Sequence, residues 1–257
     1  MKTKFNYVNL FQIINIKKND KIIINSNFLD SLIFFKKKKI NFCLKEFLDN
    51  LINYVGYEGT IVIPSYNWDF CKGVKFNQKK TGTYSGALSR YALQHKLFQR
   101  SSNPIYSFVV FGKYQKKIIN LNHQDSFGKK SPFNFMIKNN FKNIFFNLSY
   151  REAFTFVHYV EQYCKVNYRY HKTFVGYCKY INRKIKKRKI SMYVRGQNVK
   201  ETKIKKTLDK ELLRKNILIK KKYNFFKIEI LNISQACKVM IDSIYKNKGY
   251  IYPEYER

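Results

Sequence analysis

Acidic residues are scarce in this sequence: 16 Asp and Glu stand against 51 Lys and Arg, a formal net charge of +35. Such a balance would attract nucleic acid, anionic membrane or polyphosphate ligands. The enriched residues, Lys, Asn, Ile, Phe and Tyr, are also those that A/T-rich codons spell, so the charge alone selects no function class. Cysteine is sparse too. Cys43, Cys71, Cys164, Cys178 and Cys237 are odd in number and scattered, with no CxxC and no His/Cys cluster at zinc spacing. That excludes a disulfide framework and a structural zinc site, and the five read as reduced thiols of a cytoplasmic protein that uses no metal. Long apolar runs are missing as well, and none approaches the roughly 18 residues of a membrane span. The stretch Tyr7 to Ile16 is broken by Asn9, Gln12 and Asn15 with no small-residue cleavage site behind it, so no signal peptide is expected. Internal repeats and low-complexity linkers are absent.

What is present is core-forming material. Hydrophobic residues make up 45% of the 257 positions and aromatics 18%, too much for a disordered chain. The mean hydropathy of -0.46 therefore reflects Lys and Asn on the surface. The length suits one domain over 1–257, with a core at about 10–166 and an elaboration with closing helices at about 167–250. Short apolar runs at 21–26 (KIIINS), 60–64 (TIVIP), 107–112 (SFVVFG) and 143–148 (NIFFNL) read as buried strands. Between them, Cys43 to Val55 carries Leu44, Phe47, Leu48, Leu51, Ile52 and Val55 on one helical face, and Ala87 to Leu97 has helical period. Strands alternating with helices predict an α/β fold, an α-β-α sandwich around a central, largely parallel sheet. From about Tyr168 the pattern becomes Lys-rich and alternating, which predicts an antiparallel C-terminal elaboration closed by helices at 207–215 and 233–245. The charge-dense runs Lys36 to Lys39 and Arg183 to Lys189 read as solvated surface.

Thr155-Phe156-Val157-His158-Tyr159-Val160-Glu161 carries the chemistry. On a helix, Thr155, His158 and Glu161 project from roughly one face. A histidine can accept a proton near neutral pH, and a nearby carboxylate fixes its tautomer and stabilises the imidazolium. The same spacing also occurs in surface pairs, so HxxE does not establish catalysis. Cys164 lies six residues beyond His158, turned away from that face, and no cysteine is paired with a base.

Five segments, in order, are similar to the aminoglycoside 3-N-acetyltransferase family. GTIVIPSYNWDFCKG (59–73) resembles its GTLVMPxFTxDFC strand, TGTYSGALSRY (81–91) its T-x-x-x-G-A-L segment, and RSSNPIYSFVVFG (100–112) its R-S-x-H-P-x-x-S stretch. DSFGKKSPF (125–133) resembles F-G-x-G-S-P-[FY], and TFVHYVEQYCKVNYRYHKTF (155–174) resembles T-x-x-H-x-x-E followed by Y-R-x-x-K. The resemblance implies an N-acetyltransferase that moves acetyl directly from acetyl-CoA, as co-substrate, to an amine. His158 would be the general base, Glu161 its orienting partner, and Thr155 their neighbour. An H-S-S-like motif would help hold CoA, and of Asn25-Ser26-Asn27 only Ser26 matches it. Thr83 and Gly86 are further CoA candidates at a helix N-terminus, or else a turn residue and a packing residue. Arg100 could meet a phosphate or a core carboxylate.

The departures bear on the acceptor. Asn103-Pro104 replaces the family's usual His-Pro, Tyr106 stands where drug-modifying members often have a second His, and Arg90 replaces a common Glu. With Asp69, Asn103 and Tyr106 are the candidate substrate-binding residues. A +35 chain is a poor field for polycationic aminoglycosides, so the expected acceptor is an amino group of a neutral or anionic metabolite, such as a nucleotide-linked sugar of surface polysaccharide. Two alternatives stay open: a non-catalytic family member, and a basic nucleic-acid-binding protein. The second lacks any RRM, KH or zinc-finger signature, and the aromatics fall mainly in strand runs. Whether the chain forms a homodimer is not legible.

Overall fold

A computed structural model describes residues 3–181 and 183–256 of the chain. Its main sheet has seven strands in the order Leu218–Tyr223, Phe226–Asn232, Lys142–Phe146, Lys21–Ser26, Thr60–Tyr66, Tyr106–Gly112 and Gln99–Arg100. Lys21–Ser26 lies parallel to both Thr60–Tyr66 and Lys142–Phe146. The outer strands on both flanks pair antiparallel. The α-β-α sandwich is as the sequence predicts, with its parallel character concentrated in the three central strands.

The four apolar runs form four of these strands because both of their faces are covered. Ile22, Ile24, Ile61, Ile63, Val109, Phe111, Ile144 and Phe146 join one core cluster, and the alternate residues Ile23, Val62, Phe108, Val110 and Phe145 join the other. Period-two alternation therefore divides each run between two helix layers, and the polar residues at the run ends are buried with them, as Ser107 and Asn143 are. The helix Leu44–Val55 buries all six residues of its predicted stripe. The Cys43 thiol accepts from the Glu46 backbone N–H at 3.3 Å, and Gly56 ends the helix at a φ of 74°. The helix expected to Leu97 stops at Gln94, with His95 extended at ψ 126°.

The C-terminal elaboration also contributes to the main sheet. Leu218–Tyr223 and Phe226–Asn232 form a hairpin that completes the main sheet. Lys220, Lys221 and Lys222 conceal the outer strand in the sequence, yet exposed lysines suit an edge because they oppose further pairing. The rest of the elaboration is as expected. Arg169–Lys179 pairs antiparallel with Lys186–Arg195, Phe76–Asn77 adds a short third strand, and Val199–Ile204 pairs with Ile251–Tyr255. Lys36 to Lys39 are exposed, as are Arg183 to Lys187.

Gly112 ends its strand at a φ of 95°, and a Cβ there would run into the Gly59 carbonyl. Gly112→Ala is expected to cost about 1–3 kcal/mol through the left-handed backbone and this contact. A urea midpoint equal to wild type would show that the Gly59 loop yields without cost.

Candidate active site

The three parallel strands Lys21–Ser26, Thr60–Tyr66 and Lys142–Phe146 end at one edge of the sheet, the edge at which open α/β sheets bind ligands. Beyond Lys142–Phe146 the chain turns through a capping box of Ser149 and Glu152, makes the short helix Tyr150–Ala153, and enters Phe156–Tyr163. Phe156, Val157, Tyr159 and Val160 anchor this second helix in the core. His158 stays 26% exposed, while Glu161, one turn on, is fully buried.

His158 Nδ1 lies 3.0 Å from Glu161 Oε2. Arg169, at the start of the long hairpin, places Nε 2.8 Å from the same oxygen. The rest of its guanidinium donates to the Tyr193 carbonyl at 3.1 Å and to the Thr202 hydroxyl at 2.8 Å. Burial would raise the Glu161 carboxyl, but the hydrogen bond and charge of His158, with the charge of Arg169, outweigh it and hold the group below its ordinary value. An ionised carboxylate only accepts, so Nδ1 carries the ring proton and the lone pair sits on Nε2. Burial and the Glu161 charge together raise the neighbouring Tyr168 phenol.

His158, Thr155 and Tyr106 line a cleft of about 640 Å³ between this helix and the hairpin. Arg151, Arg169, Lys172 and Arg195 line it with Glu152, Glu201 and Glu256. The cleft is therefore close to charge-balanced once Glu161 offsets Arg169, and does not share the excess positive charge of the whole chain. Thr155 makes no capping hydrogen bond, and its hydroxyl touches the Tyr66 phenol, which burial raises and this contact partly lowers.

The candidate CoA residues separate into two groups. Ser26 and Gly86 meet at that strand edge, where a Cβ on Gly86 would stand 3.5 Å from the Ser26 carbonyl oxygen. Gly86, at a φ of 93°, opens the helix Ala87–Gln94 with no side-chain cap. Thr83 serves the turn instead, donating to the Tyr66 carbonyl at 3.2 Å and accepting from the Ser85 N–H at 3.0 Å. Arg100 is turned inward and meets no carboxylate among the described residues. It is 4% exposed and donates to the Ser107 hydroxyl and to the carbonyls of Thr81, Ser65 and Gly82, with Phe76 beneath it. Burial lowers its pKa to about 10. Arg100 ties the 81–82 loop to the ends of two strands, using four of its five N–H donors on Ser107, Thr81, Ser65 and Gly82.

Of the acceptor candidates, Tyr106 lines the cleft and Asp69 lies half-buried on the turn Asp69–Lys72. Asn103 is turned inward. It is 1% exposed, and its Oδ1 accepts from the Ile105 and Tyr106 N–H groups, both at 2.8 Å. Its amide faces inward to buried His123, 3.5 Å away. Burial lowers His123 to about 4, with Arg188 adding to the effect and Asp125 opposing it. A histidine depressed in the folded state binds fewer protons than the unfolded chain between its usual 6.5 and about 4. Stability should therefore fall as pH drops through that window, by about 3 kcal/mol at its foot. His123→Gln should flatten that part of the pH–stability curve, and an unchanged slope would mean that His123 titrates normally.

Cys164 lies on another hollow, with Tyr168 and Ile244, as its spacing from His158 predicts. Among the described residues no group of three His, Cys, Asp or Glu side chains could hold a metal, and no helix is long and apolar enough to cross a membrane.

A family model for aminoglycoside 3-N-acetyltransferases matches residues 36–244, most of the chain. The chain belongs to the aminoglycoside 3-N-acetyltransferase family. Membership makes it an N-acetyltransferase. Solved structures share the fold at low identity. AAC-IIIb bound to CoASH superposes with a TM-score of 0.78 at 13% identity, covering 95% of this chain and 98% of that one. AAC-VIa bound to sisomicin gives 0.74 at 12%, covering 95% and 99%. YokD from Bacillus subtilis gives 0.71 at 16%, covering 96% and 100%. No functionally curated protein matches the chain in sequence. In this acetyltransferase the largest omission from the sequence reading is Arg169: the Tyr168-Arg169 dipeptide belonged to the last resembling segment, but nothing local shows that it folds back onto Glu161.

Proposed function

We propose that the chain transfers acetyl from acetyl-CoA to an amino group of an amino sugar or aminoglycoside-like acceptor, with His158 as general base. The observation that carries this reading is the chain Arg169–Glu161–His158, which ends with Nε2 as the one ring nitrogen not held by protein, on the wall of the cleft. Solved relatives with CoASH and with sisomicin support the two substrates.

Acetyl-CoA supplies the activated acetyl group. Ser26, Gly86 and the open N–H groups of the Ala87–Gln94 helix fit its polar chain, because Gly86 enters the helix at a φ of 93° and the helix end lacks a side-chain cap. His158 Nε2 takes the proton that the acceptor nitrogen loses as it bonds to the carbonyl carbon, and returns it to the departing sulfur. Glu161 stabilises the imidazolium in between, and Arg169 keeps Glu161 ionised and in place. The Thr155 hydroxyl faces the reacting carbonyl and can donate to its oxygen.

The far field of the +35 chain favours an acceptor with an anionic or neutral carrier, whereas the balanced cleft accepts an ammonium group without repulsion. Thiol release from acetyl-CoA should therefore be seen with glucosamine and UDP-glucosamine, and should be faster with the nucleotide-linked amine at low salt. Strong turnover of kanamycin or gentamicin with none of UDP-glucosamine would overturn the preference for an anionic or neutral carrier. No thiol release with any amine would overturn the transferase reading.

A further inference from the structure

From Gln162 to Lys200 the chain carries twelve Lys and Arg and not one Asp or Glu. Most of that stretch is the hairpin of Arg169–Lys179 and Lys186–Arg195, whose two faces meet different surroundings. One face turns inward. Tyr170, Lys172, Phe174 and Met192 wall the His158 cleft, and beyond them a Cβ on Gly176 would strike the Phe70 ring and Cys178 is fully buried. Arg188, paired with Gly176, follows the same alternation: it lies over the Tyr180 ring and donates to the His123 carbonyl at 3.3 Å. The other face is bare. Val175 and Tyr177 are 46% and 54% exposed, and the residues paired with them across the hairpin are Lys189 and Lys187, both exposed. The turn extends this surface with Ile181 and Ile185, 51% and 48% exposed, beside Arg183 and Lys184. Among the described residues no carboxylate forms an ion pair with Lys179, Arg183, Lys184, Lys186, Lys187 or Lys189.

A basic surface follows from the composition of the whole chain and by itself selects no partner. Bulky apolar side chains set among the cations do. Isoleucine at a tip gains only by leaving water for another apolar phase, and it has neither a ring to stack on a base nor a polar group to read one. An anionic lipid surface meets both halves of the hairpin. Its headgroup phosphates answer the unpaired cations, and the boundary with the acyl chains takes Ile181, Ile185 and Tyr177, with the lysine stems lying alongside. We propose that the outer face and tip of the hairpin, from Val175 to Lys189, dock on an anionic lipid surface. The cleft is walled by the opposite face of the same two strands, so docking does not cover it, and the binding needs no turnover.

The full-length protein should sediment saturably with vesicles of phosphatidylcholine and phosphatidylglycerol in equal parts, and not with phosphatidylcholine alone. Ile181→Ser combined with Ile185→Ser alters no charge and should weaken that binding by about 10-fold. Lys184→Gln, Lys186→Gln, Lys187→Gln and Lys189→Gln together should weaken it by about 100-fold. The exposed run Lys36 to Lys39 supplies the control, because four glutamines there remove the same charge from another surface and should change the affinity by less than about 3-fold. All of these side chains are exposed, so each variant keeps the fold. Equal losses from the two sets of four lysines would reduce the effect to net charge and overturn the docking face. An isoleucine variant that binds as wild type would overturn it too, as would failure to sediment with the mixed vesicles. Single-stranded RNA bound through the four hairpin lysines, with vesicles left unbound, would give the face to nucleic acid instead.

Discussion

His158→Ala is expected to lower kcat/KM for amine acetylation by about 10²–10⁴-fold, the usual contribution of a positioned general base. The side chain is a quarter exposed, and the helix that carries it is held by Phe156, Val157, Tyr159 and Val160, so the variant should fold. The side-chain hydrogen bond of His158 goes to Glu161 and not to Ser26 or Gly86, and CoA affinity should therefore persist. The loss should appear in kcat at saturating acetyl-CoA, because the proton transfer is made only as the amine attacks. His158→Gln, which preserves size and a polar tip but cannot take the proton, should be impaired to a similar degree. Activity within tenfold of wild type in both variants would show that the acceptor amine loses its proton to solvent or to another group, and His158 would then be a structural partner of Glu161.

The sheet and its helices were legible because their pattern is set locally. KIIINS, TIVIP, SFVVFG and NIFFNL could only be strands buried on both faces, and the stripe from Leu44 to Val55 fits a helix with one covered side. Strand direction was less accessible. Thr60–Tyr66 and Tyr106–Gly112 run antiparallel although a helix lies between them, because the chain also makes the 67–86 loop and returns through Gln99–Arg100 before re-entering the sheet. The His158–Glu161 contact was legible for the same local reason, as the two lie one helical turn apart. Arg169, Arg100 and Asn103 were not. Their roles are set by hydrogen bonds to residues distant in sequence or to backbone atoms, as when Arg100 reaches Ser65 and Asn103 meets His123. Residue type suggested ligands at both positions, and the folded environment spends both side chains inside the protein.

Arg169→Met is expected to cost stability on a scale that few single substitutions reach, about 3–5 kcal/mol, because it strands a buried carboxylate without its counter-ion. Glu161 is fully buried, and with Arg169 gone only His158 remains to balance it. The variant should answer by raising the Glu161 pKa, since desolvation already pushes that way in the native protein. The sign of the pH dependence follows. In wild type the depressed carboxyl contributes stability above its unfolded value, and that contribution is lost as pH falls through the folded value. In Arg169→Met the carboxyl is destabilised when ionised, so stability should rise on mild acidification, opposite to wild type. Urea unfolding across a pH series reads this directly. Glu161→Leu combined with Arg169→Met should recover much of the loss, because the double variant buries no charge, although the Tyr193 carbonyl and Thr202 hydroxyl lose their donor. It should remain slow in acetyl transfer, since His158 would retain its place on the helix without the group that fixes its tautomer. A double variant no more stable than Arg169→Met would instead assign the cost to the lost Tyr193 and Thr202 bonds, making Arg169 a brace of the hairpin first and a counter-ion second.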